Sequence, residues 1–79
     1  MITISDHARE AMERHGIGEE ELHAALEHGA RIITDAIDGE IRYGNELPQK
    51  ECTIVVIYTY REDEIRVITC YTLRRKREP

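Results

Sequence analysis

The sequence predicts an α+β domain in which two short N-terminal helices pack on a four-stranded antiparallel sheet (ααββββ). Three observations support this fold class. Residues 5–29 carry apolar side chains at helical spacing and contain glycine stop signals, whereas residues 30–73 are rich in β-branched residues. A charged turn at 61–64 separates two long apolar segments, which is typical of a β-hairpin. A chain of 79 residues is expected to form one domain, residues 1–79.

Capping signals predict the bounds of both helices. Either Ser5 or Asp6 can cap the first helix, and Gly16 is expected to end it after His15. The acidic triplet 19–21 suits the positive end of a second helix, which ends at Gly29. The inward stripe of the first helix is expected to contain Ala8, Ala11, Met12 and His15.

A strand pattern follows the helices. Residues 30–37 lead to Asp38-Gly39, a strong hairpin signal, and 40–44 form the returning strand. Residues 45–50 contain Pro48 and are expected to form a loop.

The second hairpin joins residues 52–60 to residues 65–73. Residues 52–60 are apolar or Thr and Tyr throughout, which is typical of a central strand buried on both faces. Pairing across the turn at 61–64 places Val56 opposite Thr69. In this register Thr69 shares a face with Tyr71.

The alternation along the last strand assigns its other side chains to two faces. Val67 is expected on the face of Thr69 and Tyr71, whereas Arg66 and Arg74 are expected on the opposite face. A hydroxyl pair on a central strand can bind a phosphate or polarise a 2′-OH. The alternative is that Thr69 and Tyr71 are ordinary strand formers with satisfied hydroxyls.

The two cysteines are expected to be reduced thiols. The predicted register places Cys52 opposite Leu73 and Cys70 opposite Val55, so that the thiols point to opposite faces. A disulfide bond between them would not fit this geometry.

Charge is distributed unevenly along the chain. The net charge is −5, and residues 1–73 contain seven Lys and Arg against fifteen Asp and Glu. The tail, residues 74–79, contains four basic residues against one acidic residue. Such a tail can attract phosphate, or it can be a solvated terminus. The absence of a membrane-length apolar run and of a signal-peptide pattern predicts a cytoplasmic protein.

The histidines do not suggest a metal site. His7, His15 and His23 recur every eight residues, which on a helix is too far apart to share an ion, and His28 follows five residues later. The sequence has no His-Glu-x-x-His motif, Gly-rich phosphate loop, nucleophile elbow or Cys-His dyad. We therefore expect neither a metal nor a cofactor.

His7 and Arg14 are the more informative polar pair on the first helix. Their spacing of seven residues places both at one edge of its apolar stripe, where a phosphodiester could lie between them. A histidine can transfer a proton near pH 7, and an arginine can bind phosphate oxygens in pairs. Alternatively, Glu10 pairs with Arg14 while His7 packs at the edge of the helix.

The run 5–17 reads Ser-Asp-His-Ala-Arg-Glu-Ala-Met-Glu-Arg-His-Gly-Ile. It resembles the opening of the domain-of-unknown-function family 4258, which reads Ser-x-His-Ala and then Met, x, x, Arg, Gly, Ile. Residues 67–71, followed by the basic tail, are similar to the close of that family. The runs 14–16 and 65–69 also resemble the BrnT toxins.

Both families are similar to the RelE-type toxins of the barnase-EndoU-colicin-RelE group. The resemblance implies a RelE-like fold and a metal-independent endoribonuclease that cleaves mRNA or tRNA by attack of the 2′-OH on the adjacent phosphorus. It implies that His7 acts as base or acid, that Arg14 stabilises charge, and that Thr69 and Tyr71 line the same cleft. The RNA-binding residues that it implies are Arg66, Arg74, Arg75, Lys76 and Arg77.

The resemblance also implies a partner, an antitoxin protein that is frequently a small zinc-ribbon and helix-turn-helix protein. Three function classes remain open from the sequence. The chain is a toxin of a toxin–antitoxin pair, a catalytically inactive RelE-like module that binds a partner protein or RNA, or a small structural or oligomerisation domain.

Overall fold

The computed structural model describes residues 2–74, in which both helices precede all but one of the strands. Two helices follow one short strand, and four longer strands complete the chain. Neither helix has the length and apolar character needed to cross a lipid bilayer. The elements are β1 (Ile2–Ile4), α1 (Asp6–His15), α2 (Glu19–His28), β2 (Ala30–Ile37), β3 (Glu40–Pro48), β4 (Cys52–Arg61) and β5 (Glu64–Arg74).

Local capping explains where α1 begins and ends. The Ser5 Oγ accepts a hydrogen bond from the Ala8 amide at 3.1 Å, and Gly16 ends the helix in the left-handed conformation with a φ of 68°. This conformation is costly for residues that carry a Cβ. The predicted bounds of α1 are confirmed, although His15 is exposed and does not belong to its inward face.

The start of α2 is stabilised differently. The Gly18 amide donates to the Glu21 Oε1 at 3.1 Å, and the acidic first turn lies at the positive end of the helix dipole. The helix ends at His28, before Gly29, as the sequence predicts. Leu22 and Ala25 are its buried residues.

The sheet corrects the predicted four-stranded antiparallel arrangement. Within residues 2–74 it has five strands in the order β1-β5-β4-β3-β2, and β1 runs parallel to β5. The sheet is therefore mixed, although the α+β class is compatible with it. A strand of three residues is too short to show a period, and its partner lies more than 60 residues away, so no local pattern predicts it.

Two tight turns connect the long strands. Asp38 and Gly39 have φ values of 51° and 78°, and Glu62 and Asp63 have φ values of 52° and 65°. Positive φ at both central residues is the geometry that matches the twist of a two-residue hairpin. Both predicted hairpins are present, but residues 45–48 continue β3 instead of forming a loop.

A β-bulge at Ile68 changes the expected register of the β4–β5 hairpin. Tyr58 pairs with Val67 as predicted, but Ile57 pairs with Thr69, so that Ile68 is the extra residue. The expected pairing of Val56 with Thr69 is therefore wrong. Val67 and Cys70 both lie in the hydrophobic core, and only an extra residue lets positions three apart on one strand do so.

The bulge also changes the geometry of the cysteines. Cys52 pairs with Arg74 and Cys70 pairs with Val56, which places both thiols on the same face of the sheet. They lie four residue positions apart, roughly 13 Å along the strands at 3.3 Å per residue. Both are free thiols, for a different reason from the one expected.

The core lies between the helices and one face of the sheet, and one polar side chain crosses it. Asn45, which is 5% exposed, accepts a hydrogen bond from the Tyr58 hydroxyl at 2.9 Å. Its Nδ2 donates to the carbonyl oxygens of Ala25 at 3.2 Å and Leu26 at 3.4 Å. These two carbonyls belong to the last turn of α2, and that of Ala25 also accepts a hydrogen bond from the Gly29 amide at 3.0 Å. A single amide thus joins α2, β3 and β4.

We predict that Asn45→Ala lowers the free energy of unfolding by about 1–3 kcal/mol, because it leaves a buried hydroxyl and two helix-end carbonyls without this partner. Urea denaturation followed by circular dichroism measures the change. Thr34→Ala, on the exposed strand β2, serves as the control and should change stability by less than about 0.5 kcal/mol. Equal effects of the two substitutions would contradict the role given to Asn45.

We predict that a thiol reagent labels the half-buried Cys52 of the native protein at least about tenfold faster than Cys70. Burial raises the pKa of the Cys70 thiol above its ordinary value of 9.0, which disfavours the reactive thiolate. Cys52→Ser and Cys70→Ser variants isolate the two rates.

The raised pKa of Cys70 also predicts how stability changes with pH. As the pH rises, the Cys70 thiol ionises in the unfolded chain before it ionises in the folded protein. Its contribution to stability is therefore present below pH 9 and is lost as the pH rises further. Cys70→Ala should therefore lose less stability than the wild type above pH 9.

Candidate functional site

The helices cover one face of the sheet, and neither α1 nor α2 covers the other. We call the face that packs against α1 and α2 the helix face; it carries Val56 and Val67. The opposite side is the open face. Thr59 and Arg66 are directly paired across β4 and β5 and lie on it, because each is the strand neighbour of a core residue.

Three arginines and one histidine line a groove beside the open face. The groove has a volume of about 310 Å³. Ser5, Glu40 and Ile68 complete its wall. We call it the arginine groove, and its basic residues are His7, Arg42, Arg61 and Arg66.

Three strands supply the arginines. Glu40 and Arg42 are alternate residues of β3 and therefore point to the same face. Arg61 ends β4 beside them, and Arg66 lies opposite Thr59 on β5. The arginines converge because β5, β4 and β3 are neighbours in the sheet and the turns of both hairpins lie at the same end of these strands.

The chain brings His7 to the groove through Ser5. The Ser5 amide donates to the Val67 carbonyl at 3.2 Å, and its hydroxyl donates to the Ile68 carbonyl at 3.1 Å. These bonds join the start of α1 to the bulge of β5. His7, in the first turn of α1, is thereby held beside the open face.

The bulge at Ile68 also determines which side chains accompany Arg66. The extra residue places Arg66 on the open face with Thr69 and Tyr71, which pair with Ile57 and Val55. The simple alternation that separated Arg66 from this pair is wrong. The open face therefore carries a basic residue and two hydroxyl side chains along one strand.

The arginines of the groove are not neutralised by ion pairs. None of Arg42, Arg61 and Arg66 forms a salt bridge with any of residues 2–74. The Nε of Arg42 is buried and has no hydrogen-bond partner among those residues. A buried guanidinium donor without an acceptor is costly, and an anionic oxygen would satisfy it. The groove is thus chemically suited to bind phosphate.

Two of the candidates from the sequence occupy this region, and others lie elsewhere. His7 and Arg66 line the arginine groove, whereas Arg14 is exposed near the end of α1 and is not among its lining residues. Thr69 and Tyr71 are half-buried on the open face but do not line the groove either.

The remaining candidates are near the end of the chain. Arg74 is exposed at the end of β5, opposite Cys52. Arg75, Lys76 and Arg77 lie outside the described residues. Within residues 2–74, no three His, Cys, Asp or Glu side chains are grouped closely enough to hold a metal ion.

Sequence reasoning missed Arg42, Arg61 and Glu40. These residues are separated by up to 21 positions, and only strand order brings them together. A usable signal was present, since the Asp38-Gly39 turn predicts a strand from Glu40 onwards and alternate residues of a strand, such as Glu40 and Arg42, share a face. That signal does not reveal which strand lies beside β3.

The fold and the groove define a small α+β domain with a basic site beside an uncovered sheet face. The chain belongs to the family described as Domain of unknown function (DUF4258), which matches residues 4–72. The family resemblance seen in the sequence is thereby confirmed. Comparison with curated proteins found no match, and comparison with solved structures found none either. The relation to BrnT and RelE-type toxins stays a prediction.

We predict that inorganic phosphate stabilises the wild-type protein by about 1.4 kcal/mol at ten times its Kd, because the arginine groove binds it only in the folded state. Thermal unfolding in phosphate, against sodium chloride of equal ionic strength, measures this shift. Arg42→Gln should remove most of it.

The matched control is Arg9→Gln. Arg9 lies outside the groove and forms an exposed ion pair with Glu19 at 3.4 Å. This variant should keep the phosphate-dependent shift. A shift of the same size in Arg42→Gln and Arg9→Gln would show that phosphate acts on general surface charge.

Proposed function

We propose that the protein is the toxin of a toxin–antitoxin pair, a metal-independent endoribonuclease that cleaves mRNA or tRNA in the arginine groove. The observation that carries this proposal is the excess of positive charge in the groove, which three arginines and one carboxylate, Glu40, line. Three arginines without a carboxylate partner among residues 2–74 lie beside a histidine. The resemblance to the BrnT and RelE-type toxins supports the same reaction class.

Substrate binding follows from the chemistry of the arginines. Guanidinium groups donate paired hydrogen bonds to the non-bridging oxygens of a phosphodiester. The same contacts strengthen when the phosphorus becomes pentavalent and carries additional negative charge. Arg42, Arg61 and Arg66 are the residues that we assign to this role. This distribution of charge removes the need for a metal ion at the phosphorus.

Cleavage requires two proton transfers, and the groove contains two groups that can perform them. The 2′-OH loses a proton as its oxygen attacks the adjacent phosphorus, and the departing 5′ oxygen gains one. We assign the first transfer to the Glu40 carboxylate and the second to protonated His7. The products are a 2′,3′-cyclic phosphate and a 5′-hydroxyl, so that atoms and charge balance without water.

The other residues derived from the resemblance have a secondary place in this proposal. Thr69 and Tyr71 share the open face with Arg66 and extend the RNA path beyond the groove. Arg14 and Arg74 are proposed as further RNA contacts outside it. The expected partners are RNA as substrate and an antitoxin of the zinc-ribbon or helix-turn-helix type, both in the cytoplasm.

The alternative is a RelE-like module that binds RNA or a partner protein without catalysis. The state of His7 favours it, since His7 is exposed and forms no hydrogen bond with any of residues 2–74. Catalytic histidines are usually oriented by a partner that fixes the ring. A binding module needs only the arginines.

We predict that the purified protein cleaves single-stranded RNA and that His7→Ala lowers the rate by about 10²- to 10⁴-fold. The expected loss reflects removal of a proton donor while the phosphate contacts remain. A gel assay that detects 2′,3′-cyclic phosphate ends measures the rate. His15→Ala, an exposed histidine on the same helix, should cleave like the wild type.

Two further comparisons decide between the alternatives. RNA binding without cleavage, together with normal growth on induced expression, would replace the enzyme by the binding module. Equal cleavage by wild type and His7→Ala would remove His7 from the mechanism. Arg14→Gln tests the residue that the sequence paired with His7 but that does not line the groove.

A further inference from the structure

The helices do not reach the turn end of the helix face, where one apolar side chain from each strand lies in a single row across the sheet. From β2 to β1 the row contains Ala36, Ile41, Tyr60, Ile65 and Ile2. Ile41 and Tyr60 are neighbours in it, because each lies two residues from the directly paired Tyr43 and Tyr58.

The part of this row on β2, β3 and β4 is open to solvent. Ile41 is 49% exposed and Tyr60 is 50% exposed, and Ala36 is exposed as well. We call Ala36, Ile41, Tyr43 and Tyr60 the tyrosine surface. A cavity of about 490 Å³ opens beside Ile41, Tyr43 and Tyr60, and a cavity of this kind can receive an anchoring side chain of a partner.

The exposed ring of Tyr60 has a fixed orientation. It meets the Tyr43 ring at 5.4 Å between centroids and 76° between planes, and it meets the Tyr58 ring at 5.8 Å and 79°. Edge-to-face contacts of this kind are favourable between aromatic rings. The tyrosine surface is therefore preorganised, which lowers the entropy lost when a partner binds.

The rest of the helix face shows what kind of element covers it. α1 packs on β5, and α2 packs on β3 and β4. The last turn of α2 lies at Asn45, four residues along β3 from Ile41. An apolar sheet face is stabilised when a second layer packs on it. The helix layer of this domain is thus incomplete at the turn end.

The size of the row favours a helix over a second folded domain. Five strands span roughly 19 Å, and a helix lying along the row covers a width of roughly 10 Å. The resulting area of roughly 190 Å² is far below the roughly 800 Å² per partner of a stable contact between folded domains. A helix of about 13 residues has the length of the row.

The two turns give the tyrosine surface an acidic border. Four exposed carboxylates, Asp38, Glu62, Asp63 and Glu64, lie there against one arginine, Arg61. None of these five side chains forms an ion pair with any of residues 2–74. Such a border attracts Lys and Arg side chains of a partner and repels the same border of a second copy.

The conformation of the β4–β5 turn indicates that its carboxylates serve a purpose. Glu62 and Asp63 have φ values of 52° and 65°. Glycine or asparagine adopts this left-handed conformation more readily than glutamate does. The turn therefore keeps the Glu62 carboxylate at a conformational cost.

The basic residues 75–79 cannot cover the tyrosine surface of their own molecule. They follow Arg74, which lies nine positions along β5 from Ile65, a distance of roughly 30 Å. Five extended residues span at most roughly 18 Å. The occupant therefore comes from another chain.

We propose that the tyrosine surface binds an amphipathic helix of a partner protein, which extends the helix layer in trans. The apolar stripe of that helix packs on Ile41 and Tyr60, and its basic flank lies against the two turns. Helices that place an apolar face in a groove are a general mode of peptide recognition. The arginine groove lies on the opposite face of the sheet, so the bound helix leaves it accessible.

The test uses a synthetic helical peptide of about 14 residues, or about 21 Å, with leucines at i, i+3, i+4 and i+7 and lysines beside them. Fluorescence anisotropy measures its affinity for the wild type. A scrambled peptide of the same composition, which has no apolar stripe, should bind at least about tenfold more weakly. Ile41→Ser and Tyr60→Ser should each weaken binding by about tenfold, as expected for truncation of a central contact.

Leu73→Ser is the matched control for these substitutions, because Leu73 is 50% exposed and lies at the other end of β5. It should bind the peptide like the wild type. Equal binding of the two peptides, or equal effects of Leu73→Ser and Tyr60→Ser, would overturn the proposal.

A second comparison tests the acidic border. Asp38→Asn combined with Asp63→Asn keeps residues that tolerate a positive φ, and it should weaken binding by about threefold or more and reduce its salt dependence. Glu10→Gln combined with Glu13→Gln changes the net charge equally on the exposed side of α1. This control should bind like the wild type, and equal losses in the two double variants would overturn the role of the border.

Sedimentation velocity of the protein alone tests the other occupant. The wild type should be a monomer at micromolar concentration. A dimer that Tyr60→Ser dissociates would assign the tyrosine surface to a second copy and overturn the proposal. None of these measurements uses RNA, so their outcome is independent of the proposed cleavage.

Discussion

One buried amide holds the layers of this small domain together. The Asn45 side chain contacts the last turn of α2 and the Tyr58 hydroxyl, and Asn45 itself belongs to β3. A domain of this size buries little apolar surface, so a directional contact between layers has a large share in fixing how they pack. The same contact fixes Tyr58 and, through it, the ring of Tyr60. The core and the exposed tyrosine surface therefore depend on one side chain.

The sequence was sufficient to predict those elements whose determining contacts are local. Ser5 and Gly16 predict α1, and the positive-φ turn at 62–63 matches the expected hairpin. It was insufficient for β1, whose pairing with β5 is nonlocal, and for the bulge at Ile68, since a bulge has no signature in an apolar strand. One extra residue reverses the face assigned to everything on one side of it.

The candidate site shows the same division. His7 could be singled out from spacing and resemblance, because its neighbours along the helix are sequence neighbours. Arg42 and Arg61 could not, because their proximity depends on the strand order β5-β4-β3. The net charge of −5 also concealed them. At physiological ionic strength charges are screened over about 8 Å, so a local group of arginines can bind phosphate on an acidic protein without attracting nucleic acid from a distance.

The pairing of β1 with β5 has a consequence for the stage of synthesis at which the groove can assemble. The Ser5 bonds to Val67 and Ile68 link residues separated by more than 60 positions. During synthesis, β1 has no partner strand until β5 has left the ribosome. His7 and Arg66 come together only then, since the bonds that hold the start of α1 beside the sheet are made to β5. A nascent chain that ends before β5 thus carries no assembled arginine groove.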